Sequence, residues 1–419
     1  MSLRRSNPLL AHPVLMCGLR PFFLLASASA VLFVLVWLAL LGGAAPGWQP
    51  PGGTLLWHGH ELVWGFGIAA VAGFLLTAVP EFTDSPGASP ARILALVGLW
   101  LGARLAYAAS PAIGMLPALL LNLALGVGVL AQTTPALWRD PTRRHRSFAF
   151  SVAALLLVQL GFFTALLQQQ NALRWLYAGV GLMVVLVIIA TSRISMRVVN
   201  QRIEEGRPGA TPPPTVGYLA RPPRRHFAVC AVLAATAAEW AWGLQPTTGW
   251  LALAAAAALL NLLNDWHVGR ALLSRYPLVL YGSYWLAALG YAGLGAVGLG
   301  MPWSPSAPRH LLMVGTMGLS IFSVMAIAGR LHTGHWLDRR RWLPLAAVLI
   351  VLAALVRALA GVGGAHALHA LWLSGMLWAL AFVLYLLHAW RALAGPRTDG
   401  GHGCDEPKSA AGTPGVGCG

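Results

Sequence analysis

Charged side chains are scarce in this chain of 419 residues: Asp, Glu, Lys and Arg together make up 10% of it. A soluble domain of ordinary composition carries about 25%. With 58% of residues apolar, too little polar surface exists to cover a globule in water. A soluble globular enzyme is thereby excluded, and an integral membrane protein is implied. The same apolar content excludes a disordered chain. Lysine is almost missing, since Lys408 is the only one among 28 basic residues. Acids number 12, which leaves a formal charge of +16. In a soluble protein such an excess would point to nucleic acid. Here no basic face alternates with exposed aromatics, and nucleic acid is not expected as a partner.

Cysteine is sparse as well, with Cys17, Cys230, Cys404 and Cys418. No CxxC pair occurs, which excludes a zinc ribbon or a thioredoxin-like motif. Cys404 and Cys418 share a Gly-rich tail, where a flexible reduced tail is expected in preference to a disulfide between them. No P-loop, GxSxG or HExxH string is present, which argues against ATP-driven pumping and against those hydrolase chemistries. Arg4-Arg5 before an apolar run resembles an export signal. The run from Pro21 to Leu41 is too long for a signal core and opens a series of similar runs, so a retained first helix is expected.

Long apolar runs are what the chain has in abundance. About 20 residues cross a bilayer as a helix. Twelve stretches qualify: 21–43, 57–79, 92–109, 112–131, 147–168, 173–191, 226–244, 248–264, 278–299, 309–329, 342–362 and 365–391. Alternate connecting segments, termini included, carry 24 of the basic residues against two in the others. That bias predicts an even number of spans with both termini cytoplasmic. The expected fold is an all-α, polytopic membrane helical bundle forming one integral membrane domain over 1–394. Spans one to six lie within 21–191, a basic loop covers 192–225, and spans seven to twelve lie within 226–391. The tail, 395–419, is expected to be disordered. Six spans on each side of a central loop invite a search for a duplicated transporter. Trp57-His58 opens span two on the outer side, whereas Trp266-His267 closes span eight on the inner side, so these dipeptides reveal no parallel repeat.

Ionisable residues in a bilayer are costly, and each raises a functional question. The histidines, thirteen in all, sort by depth. On the outer side stand His58, His60 and Glu61 at the start of span two, His310 at span ten, and His366 and His369 at span twelve. On the inner side stand His12, His332, His335 and His388, with Asp265 and His267 nearby. His310 and His332 would lie about 33 Å apart on one helix. One metal ion cannot bind both, so two sites are implied if both are ligands.

At helical spacing His58 and Glu61 share a face, as do His366 and His369, while His60 points elsewhere unless the helix begins after it. Imidazole suits copper, iron or zinc, and histidines on facing helices can clamp a haem. The plain alternative is a ring resting in the membrane interface, and it is the reading for His12, His145, His226, His388 and His402. Glu61 either orients an imidazole through its second N–H or is a solvated charge at a helix start. Arg104, Glu239 and Arg357 lie within spans, where they either pair or snorkel. Asn264-Asp265-Trp266-His267 reads as a helix terminus. Gly282, Gly290, Gly293, Gly295 and Gly298 predict close packing of span nine.

Four stretches in order give the chain a family likeness. They are Gly18-Leu19-Arg20-Pro21-Phe22-Phe23-Leu24; Trp57-His58-Gly59-His60-Glu61 with Ala72-Gly73-Phe74-Leu75-Leu76-Thr77-Ala78-Val79-Pro80; His310 through Met325 to His332-Thr333-Gly334; and Leu386-Leu387 leading to Pro396-Arg397-Thr398-Asp399-Gly400. With these the chain resembles the NnrS family of bacterial membrane proteins. The resemblance implies a multi-pass inner-membrane protein containing haem and copper and linked to the response to nitric oxide, nitrosative stress and denitrification. It carries the cofactor-binding histidines onto His58, His60, His310 and His332. The candidate metal ligands are these four with His335, and the candidate supporting residues are Glu61, Arg20 and Arg193. The chain departs from the pattern at Thr191-Ser192-Arg193-Ile194-Ser195-Met196, where only Arg193 matches. Tyr281 stands where relatives often carry histidine, and His335 where they carry arginine. The expected function is a haem- and copper-binding protein of nitric oxide tolerance, with nitric oxide as a ligand and an electron donor that no motif identifies. The alternatives are a secondary transporter or permease, and a non-catalytic metal-binding sensor.

Overall fold

Each apolar run winds into a helix because a bilayer offers no partner for backbone N–H and C=O groups, so they pair within the segment. The computed structural model describes residues 8–205, 217–361, 363–364, 366–401 and 403–405. Among them are twelve long helices. They are α1 (Leu19–Leu41), α2 (Gly53–Thr83), α3 (Pro90–Ala108), α4 (Leu116–Arg139), α5 (Arg146–Leu167) and α6 (Leu173–Glu205), then α7 (Pro222–Trp242), α8 (Pro246–Leu263), α9 (Arg275–Gly298), α10 (Ser306–Leu331), α11 (Trp342–Ala360) and α12 (Ala367–Ala394). Ten are long and apolar enough to cross a membrane, so the chain is a membrane protein. The other two, α7 and α9, are long enough but less apolar; α7 carries Arg224, Arg225 and Glu239, and α9 carries four tyrosines.

Helix ends follow local chemistry. Proline opens α3, α7 and α8, where a missing N–H costs nothing. Gly243 (φ 74°) closes α7 in a conformation that only glycine adopts freely. One boundary departs from the hydropathy reading. The loop expected from 192 is helical as far as Glu205, because α6 runs past its apolar part through Arg193 and Arg197. Outside the bilayer a helix is limited by propensity, not by hydropathy, and nothing before Glu205 breaks it.

The described residues form two compact units. The first lies within Met1–Ala172, Met325–Leu343 and Phe382–Gly419. In it α1 packs on α2, α2 on α4, α3 on α4, and α4 on α5. Phe22, Phe23, Trp64, Phe66, Phe162 and Phe163 are fully buried there. The second lies within Leu173–Val324 and Pro344–Ala381. Its tightest pair is α8 on α9, because Gly249 faces Gly295 and Gly298 and a Cβ on any of them would meet backbone at about 3 Å or less. Gly290 and Gly293 meet Leu312 and Pro308 equally closely, as their small size predicted, and Gly282 is in ordinary contact with Leu319. Large apolar side chains such as Leu105, Leu157 and Leu359 face outward, as suits a lipid-exposed surface.

The Gly-rich tail differs from expectation up to Asp405. Arg20 donates from Nη1 to the Gly395 carbonyl (2.7 Å), and Arg397 pairs with Asp399 (2.6 Å). Cys404 is bonded to Cys17, with Cα atoms 5.4 Å apart, rather than left reduced or joined to Cys418. Folding of the tail back onto the start of α1 brings together residues that are 387 apart in sequence. Cys418, Lys408, His402 and the Arg4-Arg5 pair lie outside the described residues.

Candidate functional site

His60 ends the first α-helical stretch of α2, Gly53–His60. The next seven residues, Glu61–Gly67, wind as a π-helix before α-helical winding resumes at Ile68. Such wide turns are rare and collect at functional sites. A wider turn brings successive side chains closer together around the axis. Glu61 therefore pairs with its neighbour His60, not with His58 as α-helical spacing predicted. Nδ1 of His60 lies 3.0 Å from Oε1 of Glu61.

The Glu61 carboxylate is itself held. Nη1 of Arg104, on α3, donates to both of its oxygens at 3.1 and 3.0 Å. Nη2 of Arg104 donates to Oδ1 of Asn122 on α4, which also accepts from Nε2 of Gln159 on α5 at 3.1 Å. All five side chains are buried. Gly65 makes room for the pair: a Cβ there would lie 2.8 Å from Phe33, 3.0 Å from Nη1 of Arg104 and 3.1 Å from Oε2 of Glu61. A cavity of about 10 Å³ beside Asn122 and Gln159 is at the lower limit for holding one water. Arg104 thus pairs inside the bundle and does not snorkel.

This network decides the state of the His60 ring. The carboxylate oxygen accepts, so Nδ1 is the donating nitrogen of this contact. Nε2 is then the lone-pair nitrogen. It is buried and has no hydrogen-bond partner. Around the ring stand Trp64, Tyr107, Phe162 and Phe163, with centroids 4.7 to 5.3 Å away. A buried polar atom left unpaired among aromatic rings is costly unless something binds it.

The other candidate histidines are placed separately. His58 is half-buried and stacks on Trp37 with centroids 4.4 Å apart. His310 ends the α-helical turn Ser306–His310, and Leu311–Met317 follow as a second seven-residue π-helix. Gly65 and Gly315 each lie five residues beyond the histidine. The sequence comparison of Trp57-His58 with Trp266-His267 did not reveal this shared pattern. Nδ1 of His310 lies 2.7 Å from the Ser306 carbonyl. Beside it Arg309 pairs with Glu239 of α7 and covers the Tyr177 ring at 3.7 Å. In each unit a histidine at an α-to-π junction adjoins an ion pair, buried for Glu61–Arg104 and partly exposed for Arg309–Glu239, with the charges exchanged between the two helices.

His332 donates from Nδ1 to the Cys404 carbonyl (2.6 Å), and its Nε2 is 3.4 Å from Oε2 of Glu81. His335 lies 3.1 Å from Thr333 Oγ1. Arg20 is fully buried and donates to the carbonyls of Pro13, Leu393 and Gly395. Arg193 is a half-buried residue of α6. Tyr281 sits between Trp266 and Trp285. Arg357 donates to Ser306 Oγ at 3.0 Å. Sequence reading missed two other groupings. Asp265 holds both Arg221 (2.8 Å) and Arg224 (2.6 Å); and a cleft of about 430 Å³ at the ends of α2, α3 and α4, lined in part by Asp84, Arg92 and Arg139, holds none of the candidate histidines.

Among the described residues no three of His, Cys, Asp and Glu gather closely enough to hold a metal ion. A copper centre with three protein ligands therefore does not fit these residues. One imidazole with a prepared lone pair, as at His60, fits an axial ligand of haem.

A family model described as NnrS protein matches residues 13–397. That match covers nearly the whole chain, and the chain belongs to the NnrS family. No curated protein shows a match.

Proposed function

We propose that the chain is a haem-binding protein of the bacterial inner membrane that takes part in the response to nitric oxide, with His60 as the residue that would hold the iron. Family membership supports the general reading, and one observation carries the residue: Nε2 of His60 is buried and unpartnered while Nδ1 lies 3.0 Å from Glu61. Haem iron held by imidazole supplies a coordination position that takes a diatomic gas.

The chain's own residues account for the rest. Glu61 fixes the tautomer and orientation of His60 and raises the ring's basicity, as outer carboxylates do for ligating histidines. Arg104 holds the Glu61 carboxylate in place, Asn122 accepts from Arg104, and Gln159 donates to Asn122. Gly65 leaves space for the pair. The aromatic wall of Trp64, Tyr107, Phe162 and Phe163 excludes water. An uncharged gas partitions into the bilayer and needs no polar entry path to such a place. Copper is assigned to no residue, and the electron donor is unassigned.

The test is an optical spectrum of the protein purified from cells supplied with haem precursor. The wild type should show a haem band, and His60→Gly should lose it and regain it with added imidazole. A band unchanged in His60→Gly would overturn the assignment of His60. Absence of haem from the wild type would overturn the function.

A further inference from the structure

We propose that Cys17 and Cys404 form a thiol–disulfide switch that fastens the C-terminal tail over His332 and exchanges with a soluble dithiol on the cytoplasmic side. The two sulfurs come from segments 387 residues apart, one before α1 and one after α12. Both segments belong to the basic set that the charge bias places in the cytoplasm. Thiols there are kept reduced, and a persistent structural disulfide is unusual, whereas redox-responsive ones occur.

The surroundings suit both states. Cys404 is partly exposed and so open to attack. Cys17 is buried, with its sulfur 3.3 Å from the Thr77 hydroxyl. That hydroxyl donates to the Gly73 carbonyl (3.0 Å) and remains able to accept from a thiol at Cys17. The exchange balances as follows. A thiolate of the donor attacks Sγ of Cys404, the Cys404–Cys17 bond breaks, and Cys17 leaves and takes a proton. The donor's second thiol then attacks the mixed disulfide and releases Cys404 as a thiol. Two electrons and two protons pass to the pair, and the donor becomes a disulfide.

The bond has a target within reach. The Cys404 carbonyl accepts from Nδ1 of His332 at 2.6 Å, and Arg397 donates to the His332 carbonyl at 3.4 Å. With the disulfide closed, the tail is held on this ring by a covalent link. Once it opens, only hydrogen bonds such as those of His332 with Cys404 and of Arg397 with the His332 carbonyl keep it there, and the tail can part from the His332 ring. The switch does not depend on whether His60 holds haem.

The experiment counts free thiols in the full-length protein in membranes, by acid quenching and labelling with a mass-tagged maleimide under denaturing conditions. The chain has four cysteines. Two labels are expected after mild oxidation, on Cys230 and Cys418, and four after treatment with a reduced dithiol protein. Tryptic cleavage after Arg397 should be faster in the reduced state. Cys404→Ser should cleave at that faster rate in both states, and Cys418→Ser should respond as the wild type does. Four labels after oxidation, or equal cleavage rates in the two states, would overturn the switch. So would reduced cysteines that label only after a chelator is added, because that marks a metal site.

Discussion

Oε1 of Glu61 lies 3.0 Å from Nδ1 of His60, the residue immediately before it, while Oε2 of the same carboxylate lies 3.0 Å from Arg104. Neighbours in an α-helix do not face one another. These two meet because a π-helix begins at Glu61. The contact sets the protonation pattern of His60 and leaves Nε2 for a ligand, so the proposed site begins as a local event in backbone winding.

Arg104→Gln should leave the Glu61 carboxylate buried without its cation. Breaking a buried pair on one side costs about 3–5 kcal/mol. The expected result is a large drop in thermal stability in detergent. Glu61→Gln/Arg104→Gln should recover most of it, because no charge is then stranded. A double variant no more stable than Arg104→Gln would show that the pair is not what holds α2 to α3.

Gly65→Ala places a methyl group against Phe33, Arg104 and Glu61 at 2.8 to 3.1 Å. Overpacking of this kind costs about 1–3 kcal/mol. Gly87→Ala is the control, because a Cβ there meets nothing within 4 Å and its effect should stay within about 0.5 kcal/mol. Chemical denaturation of both variants checks the difference.

Arg309→Gln should cost less than Arg104→Gln. Glu239 keeps 20% of its side-chain surface exposed, against 1% for Glu61, so water can compensate the stranded carboxylate. Equal losses in parallel melting curves would contradict this ranking.

Much of the fold was legible in the sequence. Hydropathy located the long helices, ten of which are apolar enough to cross a membrane, and the glycines of α9 announced its packing. What it did not show were contacts that depend on distance along the chain or on a change of winding. Cys17 meets Cys404 only because the segment before α1 and the segment after α12 fold to one place. Arg104 meets Glu61 across 43 residues. α-Helical spacing puts His58 and Glu61 on one face, whereas the π-turn that begins at Glu61 sets it against His60. The histidine-rich start of span two and the carboxylate beside His60 stand out in the sequence, and the proposed site is built on them.

The Asp399 side chain accepts hydrogen bonds from Arg397, which hold its carboxyl well below the usual carboxylate range. A depressed carboxyl stabilises the folded state above its unfolded pKa and loses that contribution only as pH falls through the lower, folded value. The Arg397–Asp399 contact of the tail should therefore persist from pH 7 to about 4, near the ordinary Asp value. Hydrogen exchange over 396–401, corrected for intrinsic rates, should stay unchanged across that window and rise at once in Asp399→Asn. Loss of protection already at pH 5 would show that another group controls the tail.

The central claim, that Nε2 of His60 is a ligand nitrogen, is tested most directly by resonance Raman spectroscopy of the reduced protein purified with haem. The wild type should show an iron–imidazole stretch, and Glu61→Gln should lower its frequency, because a weaker acceptor at Nδ1 makes the ring less basic. A frequency that is the same in Glu61→Gln, His60→Gly and wild type would place the axial nitrogen on another residue.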